Sequence, residues 1–225
     1  MTAERWHFRI DLGYDGTDFF GSQRQRDRRT VQQVVEEALS RLSNHDVRID
    51  LAGRTDRGVH AVGQVASGEV SWRGEEESLR YALDSLTPDD VSILGVSRAS
   101  DRFHARFSAR SREYRYRIWN GPYPSTLLKR YVWHCRDDID IVAMSDAAEL
   151  LQGEHNFAAF AGAGLGVPWS AADCVRTVFA SDWRLVPNEW EVGTSGSRLL
   201  EYRIRATGFL PHMVRDIVGS LCAVG

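Results

Sequence analysis

The sequence predicts an α+β protein with a mixed, largely antiparallel β-sheet backed by helices. Segments with the two-residue alternation of strands are interspersed with segments that have the apolar spacing of amphipathic helices. The order strand, helix, strand, helix, strand is followed by a broadly similar second half, and no Pro-rich or Ser-rich linker separates the two. We therefore expect two similar halves, residues 1–110 and 111–225, that share one continuous sheet.

In the first half, apolar side chains occupy every second position of residues 6–14, which predicts a strand with one buried face. Thr30 precedes an apolar stripe at helical spacing, so we expect it to cap a helix, with Gln33 completing a capping box. The other predicted elements of this half are strands at 47–52 and 91–98, a helix at 75–86, and a loop at 53–64.

In the second half, residues 112–119 alternate between aromatic or aliphatic side chains and charged ones, which again predicts a strand. Gly153 follows a helical pattern and is expected near its C-terminus. The other predicted elements are strands at 131–135, 174–186 and 199–207, helices at 140–151 and 211–223, and a glycine-rich loop at 161–172.

The charge pattern allows binding to RNA even though the formal net charge is −3. Clustered arginines can neutralise phosphates in a chain that is acidic overall. Lys129 is the only lysine, so a general preference for arginine explains the clusters equally well. One cluster comprises Arg98, Arg102, Arg106, Arg110, Arg112, Arg115 and Arg117, and the other comprises Arg24, Arg26, Arg28 and Arg29.

Other sequence features argue against several classes of protein. Cys135, Cys174 and Cys222 are widely spaced, and neither they nor the histidines have ligand spacing, so we expect reduced thiols and no metal or other cofactor. The chain has no run of about 18 apolar residues and no apolar core of signal-peptide type near its N-terminus. We therefore expect a cytoplasmic protein with no membrane span.

The segment Gly53–His60 breaks the periodic pattern and is the first candidate for chemistry. Two glycines bracket Asp56, and Arg54 and Arg57 flank it, which favours a charged carboxylate. Such a carboxylate can act as a nucleophile or a base. A turn held by an Arg–Asp ion pair, with no chemical role, explains the same residues.

This segment resembles the signature of the TruA family of tRNA pseudouridine synthases. Other segments resemble blocks of the same family and occur in the same order over nearly the whole chain. They are Tyr14–Thr17, Gly21–Gln25, Val31–Gln32, Phe103–Ala109, Tyr114–Tyr116, Gly153–Phe157 and Gly208–Gly219. The resemblance implies a pseudouridine synthase fold, a homodimer without a cofactor, and conversion of uridines at positions 38 to 40 of the tRNA anticodon stem-loop.

The resemblance also implies roles for individual residues. Asp56 would be the catalytic aspartate, Tyr114 would stack on the target base, and Arg54 would assist base flipping. Arg215 would pair with the catalytic aspartate. From the residue types alone, Tyr114 can equally be a core residue and Arg215 a solvated one. The further residues expected to contact RNA are Arg24, Arg57, His104 and Arg106, although His104 can instead be a structural histidine.

The chain departs from the family pattern at three places. Arg57 replaces a small residue after the catalytic aspartate, where it can add a phosphate contact, and Ser22 replaces a tryptophan, which we expect to weaken local packing. The family normally continues past the last predicted helix with another helix and a strand, so we expect a shortened second half.

Two other functions remain open at this point. One is an RNA-binding protein that keeps the fold without catalysis, and the other is a small-molecule hydrolase that uses Asp56 with His60 as its base.

Overall fold

The computed structural model describes residues 4–162, 170, 172–187 and 196–225. The chain divides into two compact units, Met1–Ala109 and Arg110–Gly225. This boundary falls one residue before the one expected from the sequence. In the described ranges, each unit combines a sheet with two α-helices, so the predicted mixed α+β class with largely antiparallel strands is confirmed.

The first unit contains a four-stranded antiparallel sheet in the order β2-β3-β1-β4. Its central strand alternates as predicted, with Phe8, Ile10 and Leu12 fully buried and the intervening side chains at least partly exposed. The elements are β1 (Glu4–Tyr14), α1 (Val31–Ser43), β2 (Ile49–Leu51), β3 (Ala61–Trp72), α2 (Glu76–Leu86) and β4 (Val91–Arg98).

Helix α1 begins where the sequence places it. Thr30 has an extended backbone, and its hydroxyl accepts a hydrogen bond from the Gln33 N–H at 3.4 Å. The Gln33 side chain donates to Glu37 and not back to the Thr30 backbone. Of the two hydrogen bonds of the predicted capping box, the structure thus shows the one to the Thr30 hydroxyl. The apolar stripe of α1 packs into the same core as β1.

The second unit contains a five-stranded sheet in the order β6-β5-β9-β8-β7, in which only β5 and β6 are parallel among the described strands. Leu200, Tyr202 and Ile204 of the central strand are completely buried under α3 and α4. The elements are β5 (Arg112–Asn120), β6 (Trp133–Cys135), α3 (Ile141–Glu149), β7 (Gly153–Asn156), β8 (Val175–Val186), β9 (Arg198–Ala206) and α4 (Met213–Val224).

Several sequence-based expectations need correction. The predicted loop ends at residue 60 because β3 begins at Ala61, and its glycines hid the strand pattern. Gly153 does not end α3 but begins the short strand β7, which the sequence did not indicate. Most of the predicted loop at 161–172 lies outside the described residues. The described strands pair within two sheets, one in each unit, and the joining of these sheets into one stays a prediction.

Across the described ranges, no helix combines the length and the apolar character needed to cross a bilayer.

Candidate active site

Asp56 lies on the loop that joins β2 to β3, and its side chain is exposed. It therefore does not point into the core. The loop closes with a turn in which the Val59 N–H donates to the Asp56 carbonyl at 3.1 Å. The loop begins at the end of β2 and returns into the central part of the sheet through β3. Rigid secondary structure thus borders the carboxylate on both sides.

Gln64 of β3 fixes the first glycine of this loop. Its side-chain amide donates to the Gly53 carbonyl at 2.9 Å and accepts from the Gly53 N–H at 3.2 Å. Gln64 is only 7% exposed, so these bonds are largely protected from competition with water. A buried amide with both ends satisfied holds the backbone more firmly than an exposed one.

Ser22 fixes the loop one residue before Asp56. Its hydroxyl accepts from the Thr55 N–H at 2.8 Å, and its own N–H donates to the Thr55 carbonyl at 3.0 Å. The Ser22 side chain is completely buried. The sequence suggested only a loss of packing at this position, but the structure gives Ser22 a positioning role next to the candidate catalytic residue.

Tyr14 links these contacts into one network. Its hydroxyl lies 2.8 Å from Thr55 Oγ1 and accepts from Gln64 Nε2 at 3.3 Å. Burial raises the pKa of Tyr14, and its hydrogen bonds to Thr55, Gln64 and Ser22 offset only part of that rise. The phenol therefore keeps its proton at neutral pH and can donate it within the network.

Two glycines allow the chain to approach and turn at this loop. Gly21 has φ = +91°, and a Cβ at this position would lie 2.7 Å from the Thr55 carbonyl oxygen. Gly58 has φ = +78°, and its N–H donates to the Phe19 carbonyl at 3.3 Å. Residues with a side chain rarely adopt these backbone angles, so the two glycines are required by the way the loop packs.

The neighbours of Asp56 have different environments. Arg54 and Arg57 are both exposed, and the Arg57 guanidinium stacks over the Phe20 ring at 4.6 Å from the centroid. His60 Nδ1 accepts from the Gly16 N–H at 3.0 Å and lies 3.0 Å from Asp15 Oδ1. The turn after β1 thus holds the His60 ring through this nitrogen.

Tyr114 and Arg215 both lie in the second unit. Tyr114 is partly buried on β5, and its ring packs edge-to-face against Phe209, with centroids 4.9 Å apart. Arg215 is exposed on α4. Burial raises the pKa of Tyr116, and the positive charge of Arg215 acts in the opposite direction, so Arg215 lies near the Tyr116 hydroxyl. Tyr114, Tyr116 and Arg215 are therefore grouped where β5 meets α4.

The residues expected to contact RNA differ in how they are engaged. Arg24 donates to the buried carboxylate of Glu36 at 2.6 Å. His104 Nδ1 accepts from the Arg106 N–H, and its Nε2 lies 3.4 Å from Asp50 Oδ2, so both ring nitrogens have protein partners. Arg106 is exposed beside the Phe107 ring. His104 thus has the contacts of a structural histidine.

Sequence reasoning missed the supporting residues of this site. The sequence placed Gln64 in the predicted loop at 53–64. A buried polar residue on a strand indicates a specific hydrogen-bonding role, but this could be recognised only after β3 was known. Phe209 was recognised as part of a motif but not as the partner of Tyr114. In the described part of the chain, no group of three or more His, Cys, Asp or Glu side chains is arranged to hold a metal ion.

Comparison with known proteins identifies the family. The family model for tRNA pseudouridine synthase matches residues 13–108 and 147–225. The chain is 45% identical over 215 residues to tRNA pseudouridine synthase A of Chloroflexus aurantiacus, covering 95% of this chain and 73% of the relative. It is 42% identical over 219 residues to the Aeromonas hydrophila protein of the same name, covering 96% and 76%. The enzyme of that name from Ruminiclostridium cellulolyticum is 36% identical over 217 residues, covering 96% and 83%. The family model matches most of the chain and the three relatives share one name, so the chain belongs to the tRNA pseudouridine synthase family.

Proposed function

We propose that this protein is a tRNA pseudouridine synthase in which Asp56 acts on a uridine that has left the helical stack. One observation carries the proposal: in a chain of this family, an exposed carboxylate sits on a loop whose backbone is fixed by Gln64 and Ser22. Catalysis depends on holding reactive groups in place before the substrate binds. The buried network supplies that preorganisation for Asp56.

The chemistry requires a carboxylate but no redox cofactor. The C1′–N1 bond of uridine breaks, the base rotates, and a C1′–C5 bond forms within the same nucleotide. Asp56 can attack C6 of the base, attack C1′ of the sugar, or remove a sugar proton. Extrusion of the nucleotide costs a few kcal/mol, which RNA-binding contacts must offset.

The roles implied for Tyr114, Arg215 and Arg54 complete the proposal. Tyr114 stacks on the uracil, and its edge contact with Phe209 supports this role because that contact fixes the ring orientation. The family resemblance assigns to Arg215 the pairing with the charged catalytic carboxylate and to Arg54 the support of the flipped nucleotide. The exposure of both arginines is compatible with these roles.

The turn at residues 103–108 supports RNA binding by the first unit. The Ala105 N–H donates to the buried hydroxyl of Ser67 at 2.9 Å, which anchors the turn on β3. Phe107 is 76% exposed, and its ring lies against His104 with centroids 4.4 Å apart. A fixed, exposed aromatic ring beside Arg106 suits stacking with an unpaired base. In this proposal His104 orients Phe107, and Arg106 meets the backbone.

Three further points rest on the family resemblance. We propose that the substrate uridines lie at positions 38 to 40 of the anticodon stem-loop and that the enzyme is a homodimer. The tRNA substrate favours a cytoplasmic location. Mass-spectrometric mapping of the modified positions tests the first point, and sedimentation equilibrium of the purified protein tests the second.

Tritium release from tRNA labelled at uridine C5 tests the central proposal, because formation of the C1′–C5 bond expels that hydrogen. The wild-type protein is expected to release tritium, and Asp56→Asn is expected to abolish release while retaining tRNA binding. Asp46→Asn is a matched control, since it removes an exposed carboxylate elsewhere in the same unit. Binding of tRNA by the wild type without release, at high protein concentration and long times, would favour the RNA-binding alternative.

A further inference from the structure

Two arginines meet on one aromatic ring beside the candidate catalytic loop. The Arg28 guanidinium lies 4.5 Å from the centroid of Phe20, and that of Arg57 lies 4.6 Å from the same centroid. Arg57 directly follows Asp56, and Arg28 belongs to residues 24–29, the arginine-rich segment that precedes α1. Phe20 therefore connects the two segments through cation–π contacts.

Backbone contacts fix all three residues of this group. The Phe20 N–H donates to the Arg29 carbonyl at 2.9 Å, and the Phe20 carbonyl accepts from the Gln25 side chain at 2.6 Å. Gln25 and Arg28 also form an isolated antiparallel bridge. Arg57 is held next to Phe20 because the following residue donates its N–H to the Phe19 carbonyl. The two guanidinium groups are thus brought together by the fold.

Neither Arg28 nor Arg57 forms an ion pair with a carboxylate among the residues that the structure describes. Their neighbours behave differently. Arg24 binds the buried Glu36 at 2.6 Å, and Arg29 binds both oxygens of Asp90 at 2.7 and 2.8 Å. Arg26 lies 3.7 Å from the carboxylate of the adjacent Asp27. Among the four arginines of this segment, Arg28 is thus the one directed to the same ring as Arg57.

Two exposed cations held near one another without a carboxylate repel each other, and the ring offsets only part of this cost. An anion that contacts both groups would offset the repulsion, and a phosphate group accepts the planar forks of two guanidinium groups well. Arg28 also lines a depression of about 680 Å³ that is bounded by residues 24–29 and by Gln33, Val34 and Glu37 of α1. Four arginines line it against two acidic residues, Asp27 and Glu37, and its size leaves room for a nucleic-acid backbone.

We propose that Arg28, Arg57 and Phe20 form a phosphate clamp that binds the backbone of the tRNA beside the target nucleotide. The proposal rests on the proposed function, since it names the contact that would hold the substrate next to Asp56. Phe20 orients the two guanidinium groups and does not itself bind RNA.

Equilibrium binding of an unmodified tRNA transcript, measured between about 50 and 200 mM salt, tests the clamp. Arg28→Ala and Arg57→Ala are each expected to raise Kd about tenfold and to lower the slope of log K against log salt by about one. Phe20→Leu keeps an apolar side chain but removes the ring, and it is expected to weaken binding by a smaller factor. Arg73→Ala is the matched control, because Arg73 is exposed in the same unit and has no ion pair among the described residues.

The double variant distinguishes a shared phosphate from two separate ones. If one phosphate contacts both arginines, the loss in Arg28→Ala/Arg57→Ala is smaller than the product of the two single losses. Strict additivity would overturn the shared clamp, and single variants that behave like Arg73→Ala would overturn the site altogether.

The outcome is separate from that of the tritium test. A wild-type protein that binds tRNA without releasing tritium refutes the proposed enzyme activity, whereas the affinities of the arginine variants still decide the clamp. Tritium release combined with unchanged affinity in Arg28→Ala and Arg57→Ala refutes the clamp alone.

Discussion

Among the residues that the structure describes, each unit buries one glutamate, and the two glutamates are satisfied in different ways. Glu36 on α1 is 2% exposed, and its carboxylate accepts from Arg24, Arg48, the Gln32 side chain and the Ile49 N–H. Glu201 on β9 is completely buried, and within the described part of the chain its hydrogen bonds come from arginines alone. The carboxylate of Glu36 therefore accepts hydrogen bonds from uncharged as well as charged donors, whereas that of Glu201 acts as the counter-ion of its arginines.

The positions of these glutamates give the difference a structural meaning. Glu36 ties α1 to β2, because its carboxylate bonds both the helix residue Gln32 and the strand residue Ile49. Glu201 lies between Arg117 of β5 and Arg184 of β8, so it connects three adjacent strands across their ladder. Loss of charge alone should therefore damage the second unit more than the first.

Replacement of each glutamate by glutamine tests this comparison. Glu201→Gln is expected to lower the free energy of unfolding by about 3 kcal/mol, since it leaves Arg117 and Arg184 without a counter-charge and turns an amide N–H₂ toward a donor. Glu36→Gln also turns an amide N–H₂ toward arginines, Arg24 and Arg48, but its oxygen can still accept from the Ile49 N–H, so it is expected to cost less, about 2 kcal/mol. Urea-induced unfolding monitored by circular dichroism measures both values.

An exposed ion pair on the same strands provides the control. Asp182 accepts from Arg203 at 2.7 Å, and both side chains are more than 40% exposed, so Asp182→Asn is expected to cost less than about 1 kcal/mol. Equal losses for Glu36→Gln and Glu201→Gln would show that the number of donors, not their charge, sets the stability of these sites.

The pH dependence of the free energy of unfolding tests the charge of Glu201 directly. Burial raises the pKa of Glu201, but hydrogen bonds and charges from Arg117 and Arg184 outweigh it and leave the pKa below its ordinary value. A lowered pKa in the folded state stabilises the protein above the unfolded-state value of about 4.5, and this contribution is lost as the pH falls through the folded-state pKa. The gap in stability between wild type and Glu201→Gln should therefore narrow as the pH falls below the ordinary value of 4.5 and through the lowered folded-state pKa of Glu201. A gap that stays constant as the pH falls would contradict the assigned charge state.

The two buried glutamates also mark what the sequence could predict. Apolar periodicity located β1, α1 and most other elements, because one buried face imposes a regular pattern. Gln32 lies four residues before Glu36 on the same helix. The other partners of Glu36 and those of Glu201 could not be predicted, since they lie 12 to 13 and 17 to 84 residues away and depend on how the chain folds back on itself. The same limit applied at the candidate site. The motif identified Asp56, but the roles of Gln64 and Ser22 depend on how β3 and the segment after β1 fold around the loop.

The smallest expected effect concerns Arg24, which has been assigned both a structural and an RNA-binding role. Arg24 and Arg48 both donate to Glu36 Oε2, at 2.6 and 3.1 Å. Their replacement by alanine should therefore lower stability by similar amounts, less than about 1 kcal/mol each, because the two side chains are 41% and 67% exposed and each variant keeps the other arginine on Glu36. Only Arg24 also lines the depression that Arg28 borders. We thus expect Arg24→Ala, and not Arg48→Ala, to weaken tRNA binding, by about threefold at low salt. If the two variants bind tRNA equally well, Arg24 serves the buried carboxylate alone.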